Sequence, residues 1–128
     1  MFETPDVMRM AQELARYAGT RQALVAKNIA NADTPGYRAQ DLPDFAEAMR
    51  RSDAPGMRQT RAGHMMADAT PRAWTPVDVG GRPSPNGNTV SLEEEMVRGT
   101  RAQSDHNLAL AVYRSSLDVM RSALGRGR

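Results

Sequence analysis

The sequence predicts an all-α chain: two long N- and C-terminal helices packed antiparallel as a coiled-coil-like pair, joined by an irregular, mostly loop middle segment with a short helix and minor strand. Three observations predict it. Near the N-terminus, Val7, Met10, Leu14, Tyr17, Arg21, Leu24 and Asn28 recur at alternating spacings of three and four, widened by Ala11, Ala18 and Val25. That is the heptad pattern of a helix with one packed stripe. Near the C-terminus, Leu92, Met96, Gly99, Gln103, His106, Leu110, Tyr113, Leu117, Met120 and Leu124 alternate four and three in the same way. Between them, Pro55-Gly56, Gly63, Pro71, Pro76, Gly80-Gly81, Pro83 and Pro85 break every run. The expected organisation is one domain over 1–128: an N-terminal helix over 1–32, a joint and irregular excursion over 33–90, and a C-terminal helix over 91–125.

Thr4 suits an N-cap, with Pro5 at the first helical position and Asp6 in the first turn. The helix should end in Asn28-Ile29-Ala30-Asn31-Ala32-Asp33-Thr34-Pro35-Gly36-Tyr37. Asn28 and Asn31 compete for backbone groups, and Pro35 pushes Thr34 out of the α region. Pro35-Gly36 fits the centre of a type II turn, with Gly36 supplying the positive φ. Arg38 to Leu42 should be extended. Pro43 then opens a short helix with Phe45 and Met49 on one face, its Asp44 and Glu47 being first-turn acids that favour the dipole rather than a carboxylate pair. In the excursion, Thr75-Pro76-Val77-Asp78-Val79 fits a short strand. Trp74, the one tryptophan, should pin the segment onto a helix or a neighbouring chain. Asn86-Gly87 is a two-residue turn signal followed only by Asn88-Thr89-Val90, so a hairpin there would be short. Ser91-Leu92-Glu93-Glu94 reads as a capping box, with Glu94 reaching back to Ser91. The first half of the second seam is small or polar, so that helix should pack well only near its end.

The side chains that could carry chemistry are few. His64 and His106 are the only histidines, and neither has a second histidine at helical spacing to begin a metal site. Both fit a surface or seam. No Gly-rich phosphate loop follows a strand, and no nucleophile elbow is present. Nine methionines suit adaptable packing better than a cofactor box. The expectation is a non-enzyme without cofactor or metal.

Composition agrees. The 128 residues are 25% charged, 40% hydrophobic and 5% aromatic, with no cysteine. Mean hydropathy is −0.60. Such a chain buries a seam between two helices and little more, and disulfides and thiolate chemistry are excluded. Seventeen basic residues against fifteen acids are intermixed along the chain, which argues against the one-sided basic face of a nucleic-acid binder. The N-terminus lacks the basic and apolar regions of a signal peptide, and no run reaches the ~18 apolar residues of a membrane span.

The ten residues from Asn28 to Tyr37 are more specific than a turn requires. They resemble, in one uninterrupted run, the N-terminal signature of the bacterial flagellar axial proteins, the rod, hook and hook-associated subunits. Asn86-Gly87-Asn88-Thr89-Val90 before an acidic helix start resembles the Asp-Gly-Asn-Thr-Val element of the family's proximal rod members, with Asn86 in place of Asp. The short chain also leaves no room for the large inserted domain of distal rod and hook members. The resemblance covers both helices and the joints beside them.

It implies a structural subunit of the proximal rod of the flagellar basal body, exported without a cleaved signal peptide to the periplasmic rod. Helices of many subunits would assemble into a hollow, torque-transmitting shaft. The implied partners are copies of itself and other rod proteins, the rod–ring adaptor protein, the membrane-anchored ring and the export gate. No nucleic acid, small-molecule substrate or membrane insertion is expected. The seam residues Val7, Met10, Leu14, Tyr17, Leu24, Leu110, Tyr113, Leu117, Met120 and Leu124 would serve assembly. The alternative is a small cytoplasmic helical adaptor that binds a partner through a coiled coil.

Overall fold

The computed structural model describes residues 6–52 and 74–125. In chain order the elements are α1 (Asp6–Ala30), β1 (Gln40–Asp41), α2 (Phe45–Ser52), β2 (Val77–Asp78) and α3 (Leu92–Gly125). The two long helices pack against each other along most of α1. Val25 lies on Gly99, while Ala18 shares a cleft with Ala102 and His106, so the helices run antiparallel. Thr4, Pro5, His64, Pro55-Gly56, Gly63 and Pro71, all singled out above, lie outside the described residues.

The packed faces differ in phase from the bulky heptads. Ala11, Ala18 and Val25 recur every seven residues on α1 and are buried; on α3 the buried set is Glu95, Ala102 and Ala109, again seven apart. Small side chains at the contact let two helices approach closely, and a close approach leaves no room there for Leu or Met. The large side chains are therefore displaced to the flanks. Leu14, Tyr113, Leu117 and Met120 are half-buried, and Tyr17 and Leu24 are buried. Val7, Met10, Leu110 and Leu124 are 56%, 55%, 38% and 85% exposed, with Leu92, Met96 and Gln103 also outside the contact. The expectation that α3 packs best near its end is corrected: its buried residues, Glu95, Ala102 and Ala109, lie between its start and its middle, and none lies beyond Ala109.

Tyr17 and Leu24 turn to a different side of α1. Together with Leu42 they form a buried cluster, against which Leu14, Phe45 and Trp74 pack. The three rings are mutually in contact, at centroid separations of 5.2 Å for Tyr17–Trp74, 5.3 Å for Tyr17–Phe45 and 5.9 Å for Phe45–Trp74. Tilted and edge-on pairs of this kind contribute about 0.5–1.5 kcal/mol each beyond area burial. Trp74 thus pins the middle segment onto α1. The Tyr17 hydroxyl donates to the Pro43 carbonyl at 2.8 Å, fixing the entry to α2. Asp44 is the N-cap of α2 rather than a first-turn acid: its carboxylate accepts from Ala46 N–H at 2.9 Å and Glu47 N–H at 3.3 Å.

The two short strands pair antiparallel, Gln40 opposite Asp78 and Asp41 opposite Val77. Val79 N–H extends the ladder to the Ala39 carbonyl at 3.0 Å. Beside this ribbon, a Cβ on Gly81 would stand 2.7 Å from the Thr89 carbonyl oxygen. Backbone oxygen cannot rotate away, so Gly81→Ala is expected to destabilise the fold by about 1–3 kcal/mol. Urea denaturation followed by circular dichroism checks this; an unchanged midpoint would show that the segment shifts freely.

Candidate functional site

Helix α1 must end where the chain turns back, and its last carbonyls need partners. Local bonds supply some. Asn31 N–H reaches the Lys27 and Asn28 carbonyls at 3.2 and 3.1 Å, and Ala32 N–H reaches Ile29 at 3.2 Å, so the last turn tightens. The Asn31 side chain donates to the Lys27 carbonyl at 2.8 Å and accepts from the Thr34 hydroxyl at 3.2 Å. Tyr37 N–H then bonds to the Thr34 carbonyl at 3.2 Å, and Gly36 has φ 71°. That is the type II geometry expected for Thr34-Pro35-Gly36-Tyr37. A β-branched residue is strained at such a φ by roughly 1–3 kcal/mol. Gly36→Val is expected to lower stability by that amount and Gly36→Asn by less, since Asn tolerates the left-handed region. Equal denaturation midpoints for the two variants would remove the turn assignment.

The second motif sits directly on the first. Gly87 N–H donates to the Ser84 carbonyl at 2.8 Å, Ser84 N–H donates to the Asn88 carbonyl at 2.8 Å, and Gly87 has φ 81°. This is a three-residue loop with a glycine bulge, not the two-residue turn that Asn86-Gly87 alone suggests. The Asn86 carbonyl accepts Gly36 N–H at 3.0 Å, so the two glycine turns are stitched together. A Cβ on Gly87 would meet the Gly36 Cα at 3.5 Å, an ordinary contact, so it is the positive φ rather than space that calls for glycine here.

Asn88 is the centre of the joint. It is 2% exposed. Its side-chain NH2 points at three carbonyls just past the end of α1, those of Asn31, Ala32 and Thr34, at 2.8, 2.9 and 2.8 Å, as a second donor to the Asn31 and Thr34 oxygens, which also accept Thr34 N–H and Tyr37 N–H. Its side-chain oxygen accepts Val90 N–H at 2.7 Å, and its own N–H donates to Asn86 Oδ1 at 3.0 Å. One amide therefore satisfies the end of one long helix and aims the start of the other.

Asn28 does the matching work from α1. It is fully buried. Its Nδ2 donates to the Gln40 carbonyl at 2.7 Å and its Oδ1 accepts Gln40 N–H at 3.2 Å, so the side chain pairs with β1 as a neighbouring strand would. The same oxygen accepts the Tyr37 hydroxyl at 3.2 Å. Burial raises the Tyr37 phenol above the ordinary tyrosine value, and the Glu95 charge adds to the rise. On the other edge of this segment, Thr89 N–H donates to the Tyr37 carbonyl at 3.0 Å and its hydroxyl accepts Ala39 N–H at 2.9 Å.

A buried ionic cluster completes the joint; of its members, Arg21 stands out in the sequence as a polar residue in the α1 heptad row, and Glu94 only as part of the expected capping box. Arg21 grips Asp41 of β1 with two bonds, at 2.8 and 2.7 Å. That bond raises the already high pKa of the guanidinium. Arg98 of α3 approaches the same carboxylate at 3.7 Å, pairs with Glu94 at 3.0 Å and bonds to Glu95. Glu95 is fully buried, and its second oxygen has no hydrogen-bond partner among the described residues. Glu94 therefore does not close a capping box: its N–H reaches the Ser91 hydroxyl at 3.4 Å, but its carboxylate is turned to Arg98.

The structure thus brings together Asn28, Asn31, Thr34, Gly36 and Tyr37 with Asn86, Gly87, Asn88, Thr89 and Val90, while Pro35 acts within its own turn. The arrangement holds geometry: every polar contact is between structural groups. Among the described residues no cluster of three or more His, Cys, Asp or Glu side chains could hold a metal, and no helix is long and apolar enough to cross a membrane.

Comparison with known proteins agrees with this joint. Residues 18–38, the second half of α1 and the first turn, match the family model described as flagella basal body rod protein. The flagellar basal body rod protein FlgB of Salmonella typhimurium is 32% identical over 130 residues, covering 94% of this chain and 94% of the relative. FlgB of Escherichia coli is 29% identical with the same coverage, and that of Agrobacterium fabrum 29% identical over 115 residues, 86% of each chain. With a relative 32% identical over 94% of both chains, the chain belongs to the flagellar basal body rod protein FlgB family.

Proposed function

We propose that this chain is a structural subunit of the proximal rod of the flagellar basal body. The observation that carries the reading is the interlocked joint: the two motifs are spent on fixing the angle between two long helices, which is what a repeating building block needs. Helices of successive subunits pack side by side into a hollow, torque-transmitting shaft in the periplasm, reached by export without a cleaved signal peptide. A heterologous contact repeated without closure produces such a shaft. The neighbours are copies of itself, other rod proteins, the rod–ring adaptor protein, the membrane-anchored ring and the export gate. Support comes from the large apolar side chains left outside the helix pair, Val7, Met10, Leu110 and Leu124, which a single chain gains nothing by exposing.

The experiment expresses a tagged copy in a strain lacking its own. The tagged chain is expected in purified basal bodies by immunoblot, with motility restored. Leu110→Asp separates assembly from folding. At an exposed position it should leave the denaturation midpoint within about 0.5 kcal/mol of the parent yet remove the chain from basal bodies. A tagged chain that restores motility but is absent from the rod would sink the proposal.

A further inference from the structure

We propose that Asn86-Gly87 is a self-modification site, at which the Asn86 side-chain amide is lost through attack by the Gly87 backbone nitrogen, and that the folded joint both restrains the reaction and accepts only one of its two products. The chemistry needs only water. The Gly87 nitrogen gives up its proton to solvent base and bonds to the Asn86 Cγ. The Cγ–Nδ2 bond breaks, and the nitrogen leaves as ammonia after taking a proton. Water then opens the five-membered imide at one of its two carbonyls, leaving aspartate or its backbone-lengthened isomer, isoaspartate. The net change is amide plus water to carboxylate plus ammonium, with no change of oxidation state.

The residues suit the reaction. Gly87 has no side chain to shield its nitrogen, and Asn86-Gly87 is the one Asn-Gly pair in the chain. Asn86 is exposed, and its side chain is used only through oxygen, which accepts Asn88 N–H at 3.0 Å. The leaving nitrogen is thus held by nothing among the described residues. The folded joint opposes ring closure in two ways. Gly87 N–H is donated to the Ser84 carbonyl at 2.8 Å, and the Asn86 carbonyl is held by Gly36 N–H at 3.0 Å. Turning the Gly87 nitrogen onto Cγ rotates the peptide that carries both bonds. The products then differ. Aspartate keeps the oxygen that Asn88 N–H requires and makes that bond charge-assisted. Isoaspartate inserts a methylene into the backbone between the Gly36 contact and Asn88, and carries the Asn88 amide off its three carbonyls.

The test incubates the purified full chain in mildly alkaline buffer and in concentrated urea, with peptide mapping that separates the Asn, Asp and isoAsp forms. Conversion is expected at Asn86 ahead of the other asparagines, and slower in buffer by roughly fivefold or more, the factor that one retained backbone hydrogen bond supplies. The Asn86→Asp variant is expected to keep the parent's folding equilibrium within about threefold or to improve it. No conversion at Asn86 in urea, equal rates in buffer and urea, or an Asn86→Asp chain whose folding equilibrium falls tenfold or more would each overturn the proposal.

Discussion

Asn88→Asp is expected to cost on the order of 3–5 kcal/mol at neutral pH, although the two side chains are nearly the same size. The reason is the direction of every bond. The Asn88 NH2 donates to the carbonyls of Asn31, Ala32 and Thr34. A carboxylate placed there has no proton to give, and it faces three acceptors in a site that is 2% exposed. The variant's carboxyl will take a proton instead, so its pKa in the folded state rises above the unfolded value near 4. A group of raised pKa stabilises most below its unfolded value and loses that as pH climbs through the folded one. The deficit relative to the parent should therefore shrink as pH falls toward 4 and grow above it. Asn88→Ala, which takes the NH2 away from the three carbonyls without adding charge, should cost about 2–3 kcal/mol at any pH. Urea denaturation across pH, followed by circular dichroism, measures both. A pH-independent deficit in Asn88→Asp would mean that the amide's orientation is the reverse of that described.

That asymmetry separates two asparagines two residues apart. Asn86 gives only its oxygen, and Asn88 needs its NH2. The sequence shows both in one motif and says nothing of the difference, because it is set by which groups approach from α1, more than fifty residues away in the chain. Much else was legible. Both helices and the turn at Pro35-Gly36 follow from local chemistry; the strand at Val77-Asp78 and the pinning role of Trp74 were marked by residue type, although their partners, β1 and Tyr17, are distant in sequence. The phase of the helix contact was not legible. Bulky residues and alanines both repeat at heptad spacing on α1, and hydrophobicity favours the bulky set; close approach of two backbones selects the alanines instead. The interruptions of the seam were the better signal. Arg21 and Asn28 stand out as polar residues in an apolar row, and each makes a direct connection to β1. Glu95 gave no such sign, because it lies in a run of three glutamates that reads as a helix start.

Arg98→Ala is expected to destabilise the fold by about 3–5 kcal/mol, as large an effect as any side-chain truncation here. Among the described residues Arg98 is the one cation that bonds to Glu95, whose side chain is fully buried. Removing it leaves a carboxylate without counter-charge and Asp41 with Arg21 alone. The cost lies in the stranded Glu95, not in the lost pair, and two further variants separate these. Glu95→Gln keeps an acceptor for Arg98 and removes the charge, so it should cost only about 1 kcal/mol. Glu95→Leu with Arg98→Met replaces both ions by apolar side chains of similar size. It should lie within about 1 kcal/mol of the parent, since a buried pair recovers little more than its own desolvation. The double variant is also the one to test for incorporation into basal bodies. A chain that folds as well as the parent but enters the rod poorly would show that the cluster sets how α3 sits on β1 and α1 rather than how tightly. The order of stabilities decides the account. If Arg98→Ala unfolds within about 1 kcal/mol of the parent, Glu95 is not a stranded charge in that variant. The ionic cluster would then be a bystander to a joint held by Asn28 and Asn88.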